Sequence, residues 1–194
     1  MENKQVAAYA EKLVGQLERW RDRQDRGTLA KLRKALSPAT AHEAWFVLGG
    51  FFGTEAINHP VFETVAGCFA YHPQESKQSP PSDFGTSMRD AMLADGCDLR
   101  SAEESHARFR RLLACSGREE ICRHVRHAIK WVNSRKRPVE IDYRTLFKDL
   151  WWWSDKTRIR WARSYFEVPD EAASEDLAGA GVINEELEEI SPSE

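Results

Sequence analysis

The stretch SGREEICRHVRHAIKWVN, residues 116–133, decides the fold class. At about 100° per residue, Ile121, Val125, Ala128, Ile129 and Val132 fall within one arc. Arg123, Arg126, His127 and Lys130 fall opposite them, at i, i+3, i+4 and i+7. The pattern predicts an amphipathic helix over 117–133, opened by a Ser116–Glu119 capping box. A solvated helix face normally alternates cations with acids. Here no acid follows Glu120 until Glu140, so the polar face carries one sign of charge.

The flanking segments repeat the design. Ser101 and Glu104 form a second capping box before a helix over 102–115, with Arg108 and Arg111 beside Phe109, Leu112 and Leu113. The basic loop SRKRP ends at Pro138, and Tyr143, Leu146, Phe147, Leu150 and Trp151 then make one apolar stripe. Asp155 is placed to cap a last helix over 156–166. There Lys156, Arg160 and Arg163 share a face, while Trp161, Ala162, Tyr165 and Phe166 lie away from it. Arg158 projects into the apolar arc, where it must snorkel or pair with an acid. Trp153 and Trp161 read as buried. Trp152 falls off the stripe, which leaves it for base stacking or for a core or subunit contact.

The N-terminal half is helical as well. Val6, Ala10, Leu13, Leu17 and Trp20 keep helical spacing through 4–24. RGT at 26–28 breaks the chain, LAKLRKAL resumes over 29–36, and Ser37-Pro38 ends it. Residues 40–53 are small and aromatic and read as buried on most sides. Pro60 suits a first helical position for 60–71. The segment 72–83, with tandem prolines and no apolar anchor, reads as a mobile loop. A short helix over 84–96 closes at Gly96. No segment alternates like a strand. The expected class is all-α: two small helical bundles packed together, over 1–96 and 97–166, with a tail at 167–194.

The formal charge of −3 over 194 residues conceals a division. Residues 167–194 hold ten acids and no Lys or Arg, so 1–166 carries 28 basic against 21 acidic residues, a net +7. Between Arg100 and Phe166 there are 17 cations against 8 acids. A basic body points to a polyanionic partner. The tail reads as disordered. Three roles are open to it: a solvated appendage, a tethered competitor for the Lys156, Arg160 and Arg163 face, or a docking segment through Leu187 and Ile190. Deleting 167–194 separates them at low salt. Tighter nucleic-acid binding indicates competition, unchanged binding with intact assembly a solvated tail, and failed assembly docking.

Little else in the sequence carries chemistry. The polar opening MENKQVAAYA and the lack of a long apolar run predict neither a secretory signal nor a membrane span. Cys68, Cys97, Cys115 and Cys122 read as reduced thiols of a cytoplasmic protein. Cys122 and His124 point apart on a helix, and His124 with His127 gives two ligands where zinc needs three or four, so no metal is expected. Cys68 and His72 stand four apart, but no orienting acid or oxyanion donor accompanies them. Asp142, Asp149 and Asp155 are too spread for a two-metal nuclease, and no nucleotide-binding loop is present. The chain therefore reads as non-catalytic, without cofactor or small-molecule substrate. A stand-alone regulator would need a base-reading helix, and none stands out. A nuclease or thiol enzyme would show in a metal-dependent turnover assay.

Three blocks together resemble one family. RGTLAKLRKALSP (26–38), RFRRLLACSGREEICRHVRHAIKW (108–131) and VEIDYRTLFKDLWWWSDKTRIRWARSYF (139–166) are similar, in order and spacing, to the CasB family, the small subunits of the type I-E CRISPR surveillance complex Cascade. The resemblance covers most of 17–166. It implies a helical fold of two small bundles, and two copies stacked head to tail beside other Cascade subunits. It also implies contact with the guide RNA–target region and the displaced non-target DNA strand, without chemistry. Matching basic positions are Arg33 and Lys34, then Arg108, Arg111, Arg123 and Arg126, then Lys156, Arg158 and Arg160. Lys130 and Arg163 join them from the helical wheel alone.

Overall fold

The computed structural model describes residues 2–74, 83–94, 96 and 103–167. The acidic segment 168–194, most of the 72–83 loop and the Ser101 capping box lie outside the described residues. Within them the chain is all-helical, with nine α-helices and no strand. They are α1 (Glu2–Asp22), α2 (Arg26–Arg33), α3 (His42–Phe52), α4 (Pro60–Tyr71), α5 (Phe84–Leu93), α6 (Glu103–Leu113), α7 (Arg118–Asn133), α8 (Tyr143–Trp151) and α9 (Asp155–Phe166). None of them is long and apolar enough to cross a membrane.

Local chemistry sets most boundaries. The break between α1 and α2 falls at Arg23–Asp25, ahead of the RGT where the sequence placed it. Gln24 turns left-handed (φ 54°), and the Asp25 carboxylate accepts from the Thr28 amide at 3.0 Å, so helix resumes at Arg26. Pro60 opens α4 as expected, capped by His59 Nδ1, which accepts from Val61 N. Asp142 caps α8 through the amides of Arg144 and Thr145, both at 2.9 Å. The cap of α9 is Ser154; Asp155 lies one position inside.

Helix α4 is the hub. All of Val61–Ala70 is buried, and the helix meets α2, α7, α8 and α1. Phe62 sits edge-on to Phe147 at 5.1 Å and to Tyr9 at 5.7 Å. Helix α8 packs against α1 and α9 against α5, and the buried apolar side chains of both halves form one cluster. Around Trp161 lie Phe84 at 5.3 Å and Trp153 at 5.0 Å. Trp161 is fully buried and Trp153 half-buried. Helix α3 departs from expectation: Phe46 is 85% and Phe51 50% exposed. Few polar residues mark its outer side, so composition alone suggested burial on most sides.

Candidate nucleic-acid interface

The apolar arc of α7 forms as the sequence predicts, with Ile121, Val125, Ile129 and Val132 buried. Its N-cap is Gly117, and the acid that reaches back is Glu120, not Glu119. Glu120 Oε2 accepts from Ser116 N at 2.9 Å and from Ser116 Oγ at 3.3 Å. That backbone bond holds the Glu120 carboxyl below its ordinary value. Arg123 and Lys130 project into solvent, and among the described residues neither has a carboxylate partner.

Arg126 behaves differently. Its Nε donates to Thr64 Oγ1 at 2.9 Å, and a terminal nitrogen lies 3.4 Å from Glu63 Oε2. The side chain is only 13% exposed. Glu63 also accepts from Trp45 Nε1 at 2.6 Å. An acid this buried requires a charged partner, and α4 presents it to the flank of α7 where Arg126 stands. Arg126→Gln is therefore expected to cost about 2 kcal/mol of stability, the range for a hydrogen bond to a charged group. Urea unfolding measures it; a loss no larger than that of Arg123→Gln would contradict the assignment.

Helix α9 divides its cations in the same way. Lys156 and Arg163 are exposed and free of carboxylates among the described residues. Arg160 keeps the open face that the wheel gave it, its side chain 51% exposed, but it is bonded to Asp149 and lies 3.3 Å from Asp83. Asp83 is 1% exposed and Asp149 5%. Burial raises the Asp149 carboxyl above its ordinary value, opposed by hydrogen bonds from Arg160 and from Trp161 Nε1, the latter at 2.7 Å. Ser164 Oγ donates to Asp83 at 2.9 Å. Arg158 pairs with Asp155 at 3.0 Å and lies 5.8 Å from the Trp153 ring centre, which resolves the wheel's exception.

The other expected positions sort likewise. Arg111 is exposed without a carboxylate partner among the described residues, and so is its neighbour Arg110, which the wheel did not single out. Arg108 bonds to Glu104 at 3.3 Å and lies 5.7 Å from the Trp131 ring. Lys34 pairs with Glu43 at 2.6 Å. Arg33 donates to the Ala70 carbonyl at 2.6 Å while its side chain reaches solvent. Trp152 is 41% exposed at the end of α8, consistent with its place off the stripe. Beside the N-terminus of α7 lies a cleft of about 810 Å³, lined by His59, Arg118, Arg123 and Arg126 with Glu119 and Glu120. Arg118 is partly committed, donating to the Trp151 carbonyl at 2.8 Å.

Among the described residues the thiols give no nucleophile. Burial pushes Cys68 up to about 12 and Cys115 and Cys122 up to about 11, so all three are protonated at neutral pH. His72 engages Asn133 and, at 2.8 Å, the Val139 carbonyl, and no hydrogen bond joins it to Cys68 Sγ.

Comparison with known proteins converges on one family. The family model described as CRISPR-associated protein Cse2 matches residues 28–166. That span contains every cation described in this section. A chain of a solved "CRISPR RNA-guided surveillance complex" shares the fold with a TM-score of 0.61 at 19% identity, covering 90% of this chain and 98% of that one. A chain of a second, "CRISPR RNA-guided surveillance complex, pre-nicking", gives 0.64 at 20% identity with the same coverage. No curated protein matches. With most of its length accounted for by that model, the chain belongs to the Cse2 family of CRISPR-associated proteins, also called CasB.

Proposed function

We propose that the chain is a non-catalytic, cytoplasmic subunit of the type I-E Cascade complex. In this reading it holds the phosphate backbones of the displaced non-target DNA strand and of the guide RNA–target region, beside other Cascade subunits and a second copy of itself. Family membership supports the setting. One observation carries the binding role. Arg110, Arg111, Arg123, Lys130, Lys156 and Arg163 are exposed on α6, α7 and α9 with no carboxylate partner among the described residues. Arg126 and Arg160, by contrast, are tied to buried acids. Fixed cations without acids release counterions when they meet phosphates, so binding is strong at low salt and indifferent to base sequence. Sequence specificity then falls to pairing with the guide RNA.

The test combines Arg111→Gln, Arg123→Gln and Lys130→Gln. The salt dependence of single-stranded DNA binding should flatten by about one unit of slope per lost phosphate contact. Helicity and melting temperature should stay close to wild type, because these side chains are exposed. Arg126→Gln should do the reverse, lowering stability and leaving the slope unchanged. An unaltered slope in the triple variant would refute the proposed face.

A further inference from the structure

Where α6 ends and α7 begins, the fold assembles a group that the wheel did not foresee. The side-chain ligand atoms of Cys115, Glu120 and His124 all lie within 4.8 Å of one another. Glu120 and His124 are i, i+4 neighbours on α7 and share a face. Cys115 approaches from the preceding turn, its Sγ–H donating to the Arg111 carbonyl at 3.1 Å. The sulfur is buried, while Glu120 and His124 are half-exposed, so an ion has a path in from solvent. Both bonds to Ser116 end on Glu120 Oε2, and among the described residues no donor occupies Oε1.

We infer that Cys115 Sγ, Glu120 Oε1 and a His124 ring nitrogen form a binding site for a thiophilic divalent cation of the zinc type, with water in the fourth position. The donor set is one such an ion takes: one sulfur, one imidazole nitrogen and one carboxylate oxygen. Tetrahedral zinc with bonds of about 2.0–2.3 Å holds its ligands roughly 3.3–3.8 Å apart, so side-chain rotation over about an ångström closes the group. Charge balances as well. Thiolate and carboxylate together neutralise a dication, so the bound ion adds no net positive charge beside the cations of α7. On binding, the thiol proton leaves to solvent, the Sγ–H bond to Arg111 is exchanged for an Sγ–metal bond, and neutral His124 contributes a lone pair. Nothing is oxidised or reduced. The Cys115 carbonyl accepts from Trp153 Nε1 at 2.8 Å, so an ion there fixes the α6–α7 turn and, through it, the junction of α8 and α9.

The inference stands apart from the nucleic-acid reading. The experiment titrates Co2+ and Zn2+ into the metal-free full chain. One equivalent of Co2+ is expected to give a thiolate-to-cobalt charge-transfer band that one equivalent of Zn2+ abolishes, and the apparent affinity should fall as pH is lowered, since binding displaces a proton. Cys115→Ser should remove the band. Glu120→Gln and His124→Gln should weaken binding at least about tenfold, because even groups behind the ligands are worth about 10–100-fold. His127→Gln, one turn from the group, should bind as wild type. If Cys115→Ser does not fold, the half-exposed His124 variant and the band itself still decide. Absence of the band, its persistence in folded Cys115→Ser, or equal affinities in the His124 and His127 variants would each overturn the assignment.

Discussion

Trp161→Ala is expected to remove about 3–5 kcal/mol of folding stability, the usual cost of deleting a buried tryptophan. Trp161 has no exposed surface and fills the space between α5, α8 and the turn before α9, against Phe84 and Trp153. Its indole N–H is one of two donors to Asp149, the other being Arg160. Truncation therefore opens a cavity and strips a partner from a buried carboxylate at once. Against a typical total of about 5–15 kcal/mol, that loss leaves a marginal fold. Trp161→Phe separates the two contributions: it keeps most of the ring volume and forfeits only the hydrogen bond, for about 1.5–3 kcal/mol. Equilibrium urea unfolding reads both. A loss of only a few tenths of a kcal/mol for the alanine variant would mean that α9 does not dock as described.

Gly85→Ala should destabilise almost as much, and against the trend for its residue type. An alanine normally improves a helix by about 1 kcal/mol over glycine. At Gly85, however, a Cβ would fall 2.8 Å from the Trp161 carbonyl carbon and 2.9 Å from its Cα, closer still to the oxygen. Those are backbone atoms and cannot rotate away, so α5 and α9 must separate. Overpacking of that kind costs roughly 3 kcal/mol. Gly50, in α3, is the control: it is exposed with nothing within 4 Å of an added Cβ, and its alanine variant should gain about 0.5–1 kcal/mol. Melting of the two variants in opposite directions is the expected result. A stabilised Gly85→Ala would contradict the close crossing.

What the sequence disclosed and what it concealed divide along a physical line. Helix α7, the start of α4 and the burial of Trp161 depend on spacing within one segment, and all were legible. The commitments of Arg126 and Arg160 were not. Their acids stand elsewhere in the chain: Glu63 lies 63 positions from Arg126, and Asp83 77 from Arg160. A helical wheel sees one helix and cannot see the acid another helix brings to it. The wheel and the resemblance together put forward eleven cations, with Arg158 the one on which they disagreed, and tertiary contacts show which of the eleven are paired. The same blindness explains the exposed Phe46 and Phe51, and the Cys115, Glu120 and His124 group. The sequence reading tested Cys122, His124 and His127 as ligands because they are near in sequence, whereas the turn before α7 brings in Cys115 instead. Cys68 and His72, four apart in sequence, were not expected to act as a pair, and Asn133 and Val139 claim the imidazole.

The surrender of Arg160 to two interior acids has a consequence for how α9 meets a ligand. Its anchorage to Asp83 on one side and Asp149 on the other fixes the helix in the free protein. Lys156 and Arg163, seven residues apart, are then held about 10.5 Å apart along the axis at 1.5 Å rise per residue, whether or not a strand is present. Association has no backbone left to organise there. It immobilises only the two side-chain ends, at about 0.5–1.5 kcal/mol each. On the proposed reading, the α9 surface should therefore act as a ruler set in advance, admitting strands whose charges fit its spacing without an induced rearrangement.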